Sequence, residues 1–150
     1  MHLHAAIKLA KDALNDGDGP FGAIIAKGPE ILATARNRTV AEGNPTMHAE
    51  MVAIREACKE HGSETLKTST IYCSCEPCLM CLSAIYYSQI PRLVFAASLE
   101  DAIHFGSGDP LVRSEWLNKA GNLNIEIIQG EGRESVISLF DQYVKKFGKL

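Results

Sequence analysis

Hydrophobic residues recur at helical spacing in three segments of the chain. Residues 2–15 carry apolar side chains every three or four positions, at Leu3, Ile7, Ala10 and Leu14. Residues 47–60 repeat this spacing at Met47, Met51, Ile54 and Cys58. A segment near the C-terminus does the same at Val136, Phe140, Tyr143 and Phe147. A further helix is predicted from about Pro77 to Ser88, because proline is favoured at the first helical position.

Strand-like runs alternate with these helices. The segment FGAIIAKGPEILATARN predicts two strands joined by a turn at Gly28-Pro29. Shorter runs rich in β-forming residues predict three more strands, at STIYCS, RLVFAAS and NLNIEIIQG. Residues 99–118 contain glycine and proline, so they predict a loop with a short helix around Trp116.

This order of helices and strands predicts an α/β layered fold. The first two strands form a hairpin and must be antiparallel, so the sheet is expected to be mixed. No internal repeat, low-complexity segment or linker interrupts residues 1–150, and the length fits one domain.

Composition excludes several functional classes. Hydrophobic residues make up 46% of the chain, which is ordinary for a globular protein. The formal net charge of −3 argues against a role built on gripping a nucleic-acid backbone. No apolar run approaches the roughly 18–20 residues that span a membrane. Because Lys8, Lys11 and Asp12 interrupt the N-terminal segment, it does not resemble a signal peptide, and a cytoplasmic protein is expected.

Four of the five cysteines lie within nine residues, and two of them have the C-x-x-C spacing of metal ligands. Cys78 and Cys81 are related by roughly 300° on a helix, so both sulfurs face one side of its first turn. The unpaired N–H groups there favour thiolates. A buried or redox-active pair would share this spacing. Cys73 and Cys75 could complete a four-thiolate site, but their place in a strand predicts core cysteines.

His48 and Glu50 stand two residues apart where the second helix is predicted to begin. A catalytic zinc takes three protein ligands and leaves a fourth position open for water, which suits His48, Cys78 and Cys81. The looser geometry of a helix start lets Glu50 reach that water and take its proton. We therefore predict one Zn²⁺ per chain and Glu50 as the catalytic residue. A non-catalytic zinc-binding module would not need a carboxylate there.

Together these residues form a motif that is more specific than its parts. H-A-E at 48–50 followed by P-C-x-x-C at 77–81 is the zinc-deaminase signature. The chain resembles the cytidine/deoxycytidylate deaminase superfamily in GPFGAIIAKGPEILATARN, NPTMHAEMVAIREAC and SCEPCLMCLSAIYYSQIPRLVFAA. PFGA at 20–23, SCEPC at 74–78 and AIYY at 84–87 are similar to bacterial guanine deaminases. The next branch, the tRNA-specific adenosine deaminases, typically has P-V-G-A and a more basic surface.

The resemblance implies a three-layer α/β/α sandwich with a five-stranded mixed sheet, usually in a dimer or a larger oligomer, and a homodimer is expected here. It implies hydrolytic attack on the amidine carbon of a base, with Glu50 passing the water's proton to the ring nitrogen and the leaving amine. It also implies that Asn37, which can donate and accept hydrogen bonds, contacts the base. Ala49 and Phe21 complete the substrate-binding set expected in this part of the chain.

The resemblance also implies an acid that recognises a purine, and Asp101 falls at that place. A carboxylate only accepts hydrogen bonds, which suits the donors of guanine. Glu100 and Asp109 lie in the same segment and are alternatives, and Asp101 could instead cap a helix. Guanine deaminases use an aromatic residue near the C-terminus, sometimes from a partner subunit. This chain ends in leucine, so Tyr143 is the candidate here.

The expected reaction is zinc-dependent hydrolysis of a small-molecule nucleobase, foremost guanine to xanthine and ammonia. The alternatives are a tRNA-specific adenosine deaminase, which would have to extrude its target base, and a deaminase of cytosine or a nucleoside. The remaining histidines are expected at the surface, away from the metal: His2, His4, His61 and His104.

Overall fold

The computed structural model describes residues 1–150 as one five-stranded sheet flanked by helices. The strands are β1 (Gly22–Lys27), β2 (Glu30–Arg36), β3 (Thr70–Cys75), β4 (Arg92–Ala97) and β5 (Glu126–Gln129). The helices are α1 (His2–Asn15), α2 (Thr39–Glu42), α3 (Ala49–His61), α4 (Ser63–Leu66), α5 (Leu79–Tyr87), α6 (Leu99–His104), α7 (Ser114–Ala120) and α8 (Arg133–Phe147).

The sheet is mixed, as predicted. Its strand order is β2-β1-β3-β4-β5. β1 pairs antiparallel with both β2 and β3, while β3, β4 and β5 run parallel. Helices α5, α6 and α7 lie in the connections between the parallel strands, which need crossovers of this kind. The carboxyl ends of β3 and β4 therefore lie at one edge of the sheet, next to the start of α5.

Alternating side chains bury both faces of the sheet and create three layers. On one face, Ile25 and Leu93 belong to a core of 18 buried residues that includes α3 and α5. On the opposite face, their neighbours Ile24 and Val94 pack against residues of α1 and α8. The predicted α/β/α sandwich is confirmed.

Helix α1 lies unusually close to β1 because Gly22 has no side chain. A Cβ atom at Gly22 would lie 2.2 Å from the carbonyl oxygen of Ala6 and 2.7 Å from the backbone nitrogen of Ala10. Ala6 and Ala10 are themselves small and fully buried. Small residues on both elements therefore set the spacing between this helix and the sheet.

The predicted elements are present, and their ends differ in informative ways. Helices α3 and α5 begin at Ala49 and Leu79, each two residues later than predicted. β5 begins only at Glu126 because Asn124 has a positive φ of 58°. Helix α6 lies in a segment predicted as loop, and the four-residue helices α2 and α4 were not predicted.

One histidine expected at the surface is buried. The ring of His2 is 2.9 Å from the carbonyl oxygen of Gly28 through Nε2, so the N-terminus of α1 is tied to the β1–β2 turn. The other three histidines, His4, His61 and His104, are exposed as predicted. None of the eight helices combines the length and the apolar character that crossing a membrane requires.

A single buried carboxylate joins the segments that follow β3 and β4. Glu76 accepts the backbone N–H groups of Leu99 (2.9 Å) and Ser114 (2.7 Å), which lie at the starts of α6 and α7. Arg113 Nε donates to both of its oxygens, at 3.1 and 2.9 Å. Because Pro77 and Cys78 follow directly, this carboxylate also fixes the start of α5.

Removing the carboxylate should destabilise the fold strongly. We expect Glu76→Ala to lower the free energy of unfolding by about 3–5 kcal/mol. Two backbone N–H groups and the guanidinium of Arg113 would lose their hydrogen-bond acceptor. Glu100→Ala is the matched control, since Glu100 pairs with the same arginine but is exposed, and it should cost about 0–1 kcal/mol. Urea unfolding measures both. Equal effects of the two variants would contradict this role for Glu76.

Candidate active site

The starts of two helices meet and carry the predicted metal ligands. His48 is the N-cap of α3 and Cys78 is the N-cap of α5, and both have extended backbone conformations. Cys81 lies in the first turn of α5. An N-cap residue is outside the helical repeat, so His48 and Glu50 do not diverge as two mid-helix residues would. The side chains of His48, Cys78, Cys81 and Glu50 consequently converge.

The three predicted ligand atoms fit a zinc ion. His48 Nδ1 lies 3.6 Å from Cys78 Sγ and 3.5 Å from Cys81 Sγ, and all three atoms are within 4.8 Å of one another. Two corners of a zinc tetrahedron occupied by nitrogen and sulfur are about 3.5 Å apart, given ordinary Zn–N and Zn–S bond lengths. Three ligands rather than four are typical of a catalytic zinc site. Cys73 and Cys75 are buried and do not join this group.

The ligands also tune one another electrostatically. A hydrogen bond from Cys81 lowers the pKa of Cys78 to about 5, against the opposing effect of burial. The hydrogen bond with Cys78 raises the pKa of His48 to about 9. The hydrogen bond with Cys78, followed by burial, raises the pKa of Cys81 well above its usual value. A thiolate at Cys78 is therefore favoured by its neighbours, and thiolates are the form that binds metals.

Glu50 is a buried carboxyl group beside the ligands. Its Oε2 accepts a hydrogen bond from Cys81 Sγ at 3.5 Å, and only 7% of the residue is exposed. Burial, followed by the negative charge of Cys78, raises the pKa of Glu50 to about 7. A carboxyl group poised near neutrality can both accept and release a proton.

A cavity of about 180 Å³ opens over Glu50 and two of the predicted metal ligands, His48 and Cys78. Its other walls come from the segment before β1, the end of β2 with α2, the end of β3, helix α6 with the loop after it, and the C-terminal segment. Polar groups converge in it with apolar ones, as in small-molecule sites. The polar lining includes Asn37, Thr39, Glu76, Ser107 and Asp109.

Of three further residues predicted to bind the substrate, two line the cavity and one does not. Phe21 lines the cavity and packs on Phe140, with ring centroids 5.6 Å apart. Tyr143 lines it from the C-terminal helix and packs on Phe147, with ring centroids 4.7 Å apart. Ala49 is fully buried in the core beneath the site and does not line the cavity.

The structure does not place Asp101, predicted as the acid that recognises the substrate, in the lining of the cavity. Asp101 lies outside the cavity and forms a capping box with Ser98 at the start of α6. Its oxygens also accept two hydrogen bonds from Arg133, at 2.6 and 2.9 Å. Burial opposes ionisation of Asp101, but these hydrogen bonds outweigh it and hold its pKa below the usual range. The carboxylate of Asp101 is thus already hydrogen-bonded to Ser98 at the start of α6 and to Arg133 at the start of α8.

Of the acids in the segment that follows β4, the one that lines the cavity is Asp109. Its Oδ2 accepts a hydrogen bond from Ser107 Oγ at 2.7 Å, and no basic side chain pairs with it. Of the three acids in this segment, Glu100 is exposed and pairs with Arg113. Asp109 is therefore the only one of the three that can face a substrate.

Two further buried acids shape the site and were missed in the sequence. Glu76 lines the cavity while it holds the start of α5. Asp18 supports Asn37 from behind, accepting a hydrogen bond from its Nδ2 at 2.7 Å. Asp18 follows Gly17, and in the sequence it looks like ordinary turn chemistry. Only its burial, with 3% of the residue exposed, distinguishes it from a turn residue.

Known proteins share both the motif and the fold. Residues 1–97 match the family model described as the cytidine and deoxycytidylate deaminase zinc-binding region. The guanine deaminase of Bacillus subtilis (strain 168) is 42% identical over 114 residues, which cover 75% of this chain and 73% of that protein. The tRNA-specific adenosine deaminase of the same organism is 32% identical over 146 residues, covering 97% and 91%.

A solved structure agrees in fold. The guanine deaminase from Nitrosomonas europaea superposes with a TM-score of 0.86 at 23% identity, covering 95% of this chain and 82% of that one. The shared fold, the family match and the convergence of His48, Cys78, Cys81 and Glu50 agree with one another. The chain belongs to the cytidine and deoxycytidylate deaminase family and is a hydrolytic deaminase.

Proposed function

We propose that this protein converts guanine to xanthine and ammonia, using one zinc ion held by His48, Cys78 and Cys81. The observation that carries the choice of guanine is the carboxylate of Asp109 in the cavity wall. A carboxylate accepts hydrogen bonds and cannot donate them, so it suits a base with N–H donors. The guanine deaminase relative at 42% identity supports the same substrate.

The chain's own residues supply positioning and proton transfer. Glu50 takes one proton from the attacking water and delivers it to the ring nitrogen beside the amidine carbon. It then takes the second proton from the hydroxyl group on that carbon and delivers it to the amine, which leaves as ammonia. Its burial keeps it close to the pKa that such a shuttle needs. Zinc bound at the three ligands supplies the electrostatic activation of water. Phe21 and Tyr143 offer apolar surfaces to the ring, while Asn37 and Asp109 orient its edge.

A tRNA adenosine is the alternative substrate, supported by the 32% identity that extends over most of the chain. Once its amine is at the reacting centre, adenosine has no N–H group left in its ring system, because the sugar occupies the imidazole nitrogen. Asp109 would then face acceptors only, and unpaired polar groups in a buried site weaken binding. The formal net charge of −3 also gives little attraction for RNA.

The direct test is ammonia release from a panel of substrates. We expect the purified protein to release ammonia from guanine with kcat/KM at least about 100-fold above adenine and cytosine. Guanosine and tRNA should be poor substrates. Asp109→Asn should lower kcat/KM for guanine about 10- to 100-fold, because one buried acceptor is lost.

Asp101→Asn is the matched control for the acid. It makes the same chemical change outside the cavity, so turnover should stay near that of the unmodified protein. Ammonia from tRNA or a nucleoside but not from guanine would refute the guanine assignment and leave the deaminase intact. A larger loss of turnover in Asp101→Asn than in Asp109→Asn would refute the assignment of the acid.

The role of Glu50 separates metal binding from chemistry. Glu50→Gln should keep its zinc content and its folded structure while kcat falls by at least 10²–10⁴-fold, since several proton transfers depend on this carboxyl group. Glu60→Gln, an exposed change on the same helix, should leave kcat unchanged. Steady-state kinetics and elemental analysis provide the two measurements. Turnover near normal in Glu50→Gln would rule out the proposed proton shuttle.

We further propose that the protein works in the reducing cytoplasm, where its five free cysteines would remain thiols. We also propose that it is a homodimer. Large apolar side chains are exposed on α5 and α7, at Leu79, Tyr86, Tyr87 and Trp116. Tyr87 is 81% exposed and Trp116 is 64% exposed, and aromatic residues are enriched in interface cores. A second copy of this chain is the proposed partner of this surface.

Light scattering should therefore give about twice the chain mass of 16.3 kDa. Tyr87→Glu together with Trp116→Glu should give the monomer, because charges would be buried in the interface. Lys59→Glu, on the exposed side of α3, is the control and should remain dimeric. A monomeric mass for the unmodified protein would contradict the proposal.

A further inference from the structure

Asp18 is a buried carboxylate that the deamination chemistry does not use. It lies behind the cavity wall, with 3% of the residue exposed and no lysine or arginine bonded to it. Its oxygens accept five hydrogen bonds, from Gly19 N, Asn37 Nδ2, Thr39 Oγ1, Val40 N and Ala41 N. Burying a carboxylate whose hydrogen-bond partners are all neutral costs free energy. The five donors arranged around Asp18 offset that cost.

The carboxylate fixes which way the amide of Asn37 points. Because a carboxylate can only accept, Asn37 must turn its NH₂ group toward Asp18, where Nδ2 lies 2.7 Å from Oδ1. The second N–H of the amide donates to Thr39 Oγ1 at 3.0 Å. Both donors of Asn37 are thereby used within the chain.

The remaining oxygen of Asn37 is the one amide atom that Asp18 and Thr39 leave without a partner. Asn37 Oδ1 has no hydrogen-bond partner in the chain, and no fully buried side-chain nitrogen or oxygen is left unpaired. The oxygen is thus accessible, and Asn37 lines the cavity. The sequence alone allowed Asn37 to donate or accept, but the structure leaves it only the acceptor role toward a ligand.

We propose that Asp18 is a positioning residue that sets substrate specificity by locking Asn37 as a hydrogen-bond acceptor. The cavity then presents two acceptors, Asn37 Oδ1 and the carboxylate of Asp109. With its amine at the reacting centre, guanine keeps two ring N–H donors, one in each ring. Adenine and cytosine keep one each, and adenosine in a nucleic acid keeps none. This inference rests on the proposed guanine deaminase function.

Replacing Asp18 should allow the side-chain amide of Asn37 to rotate. In Asp18→Asn, the new side chain can keep its oxygen on the backbone N–H groups of Val40 and Ala41 and turn its NH₂ toward Asn37. Asn37 would then rotate and present NH₂ to the cavity. The loss of a contact made equally in the ground and transition states should appear chiefly in KM.

Two analogues report which ring N–H is recognised. 2-Aminopurine lacks the hydrogen on N1, and 9-methylguanine lacks the imidazole N–H. We expect the kcat/KM ratio of guanine to one of them to fall about 10-fold or more in Asp18→Asn, while the other ratio is kept by Asp109. Asp16→Asn is the matched control, because it removes the same charge two residues away from an exposed ion pair. It should leave both ratios unchanged.

A second measurement needs no turnover and is made on the unmodified protein. In the unmodified protein, the side-chain NH₂ protons of Asn37 should exchange with water at least about 10-fold more slowly than those of Asn44, because hydrogen-bonded amides exchange only on opening. Asn44 is half-buried, but its Nδ2 donates to no group in the chain. The Asn37 signals are identified by their absence in Asn37→Asp.

The outcomes separate this inference from the proposed function. Equal exchange of the Asn37 and Asn44 amides would overturn the proposal that Asp18 holds Asn37 as an acceptor. An equal loss of kcat/KM for guanine and both analogues in Asp18→Asn would overturn it as well. No ammonia from guanine would overturn the substrate assignment alone, since the exchange measurement uses no substrate. Slow exchange at Asn37 together with a selective fall in one ratio would establish Asp18 as the specificity-setting residue.

Discussion

The site depends on the meeting of two helix starts. Helices α3 and α5 approach so that their N-caps, His48 and Cys78, lie 3.6 Å apart through Nδ1 and Sγ. The N-cap conformation frees both side chains from the helical repeat, and Cys81 and Glu50 are then brought in from the first turns. Unpaired backbone donors at these helix ends add a favourable field for thiolates. Any change in the angle between α3 and α5 would therefore separate His48 and Glu50 from Cys78 and Cys81.

Much of this arrangement could be predicted from the sequence. The alternation of strands and helices predicted the mixed sheet, and the spacing of His48, Glu50, Cys78 and Cys81 predicted one site. These predictions succeed because local spacing and helix geometry fix the directions of the side chains. The turn between the first two strands was also correctly predicted, since Gly28 adopts a positive φ of 57° that a hairpin needs.

The substrate side of the site was harder to predict because it depends on contacts between distant segments. Asp101 and Asp109 are indistinguishable as acids in one short segment, and only the capping box of Ser98 and the pairing with Arg133 take Asp101 away from the cavity. Asp18 looks like turn chemistry until its burial beside Asn37 is seen. Glu76 likewise gains its role from backbone groups more than 20 residues away.

The central claim is that zinc lies between His48, Cys78 and Cys81, with Glu50 at its side. Anomalous X-ray diffraction from crystals of the protein, recorded on both sides of the zinc absorption edge, tests this most directly. The account predicts one zinc peak per chain within bonding distance of His48 Nδ1 and the two sulfurs. A peak at Cys73 and Cys75 instead, or no peak in protein purified from zinc-supplemented cells, would contradict it.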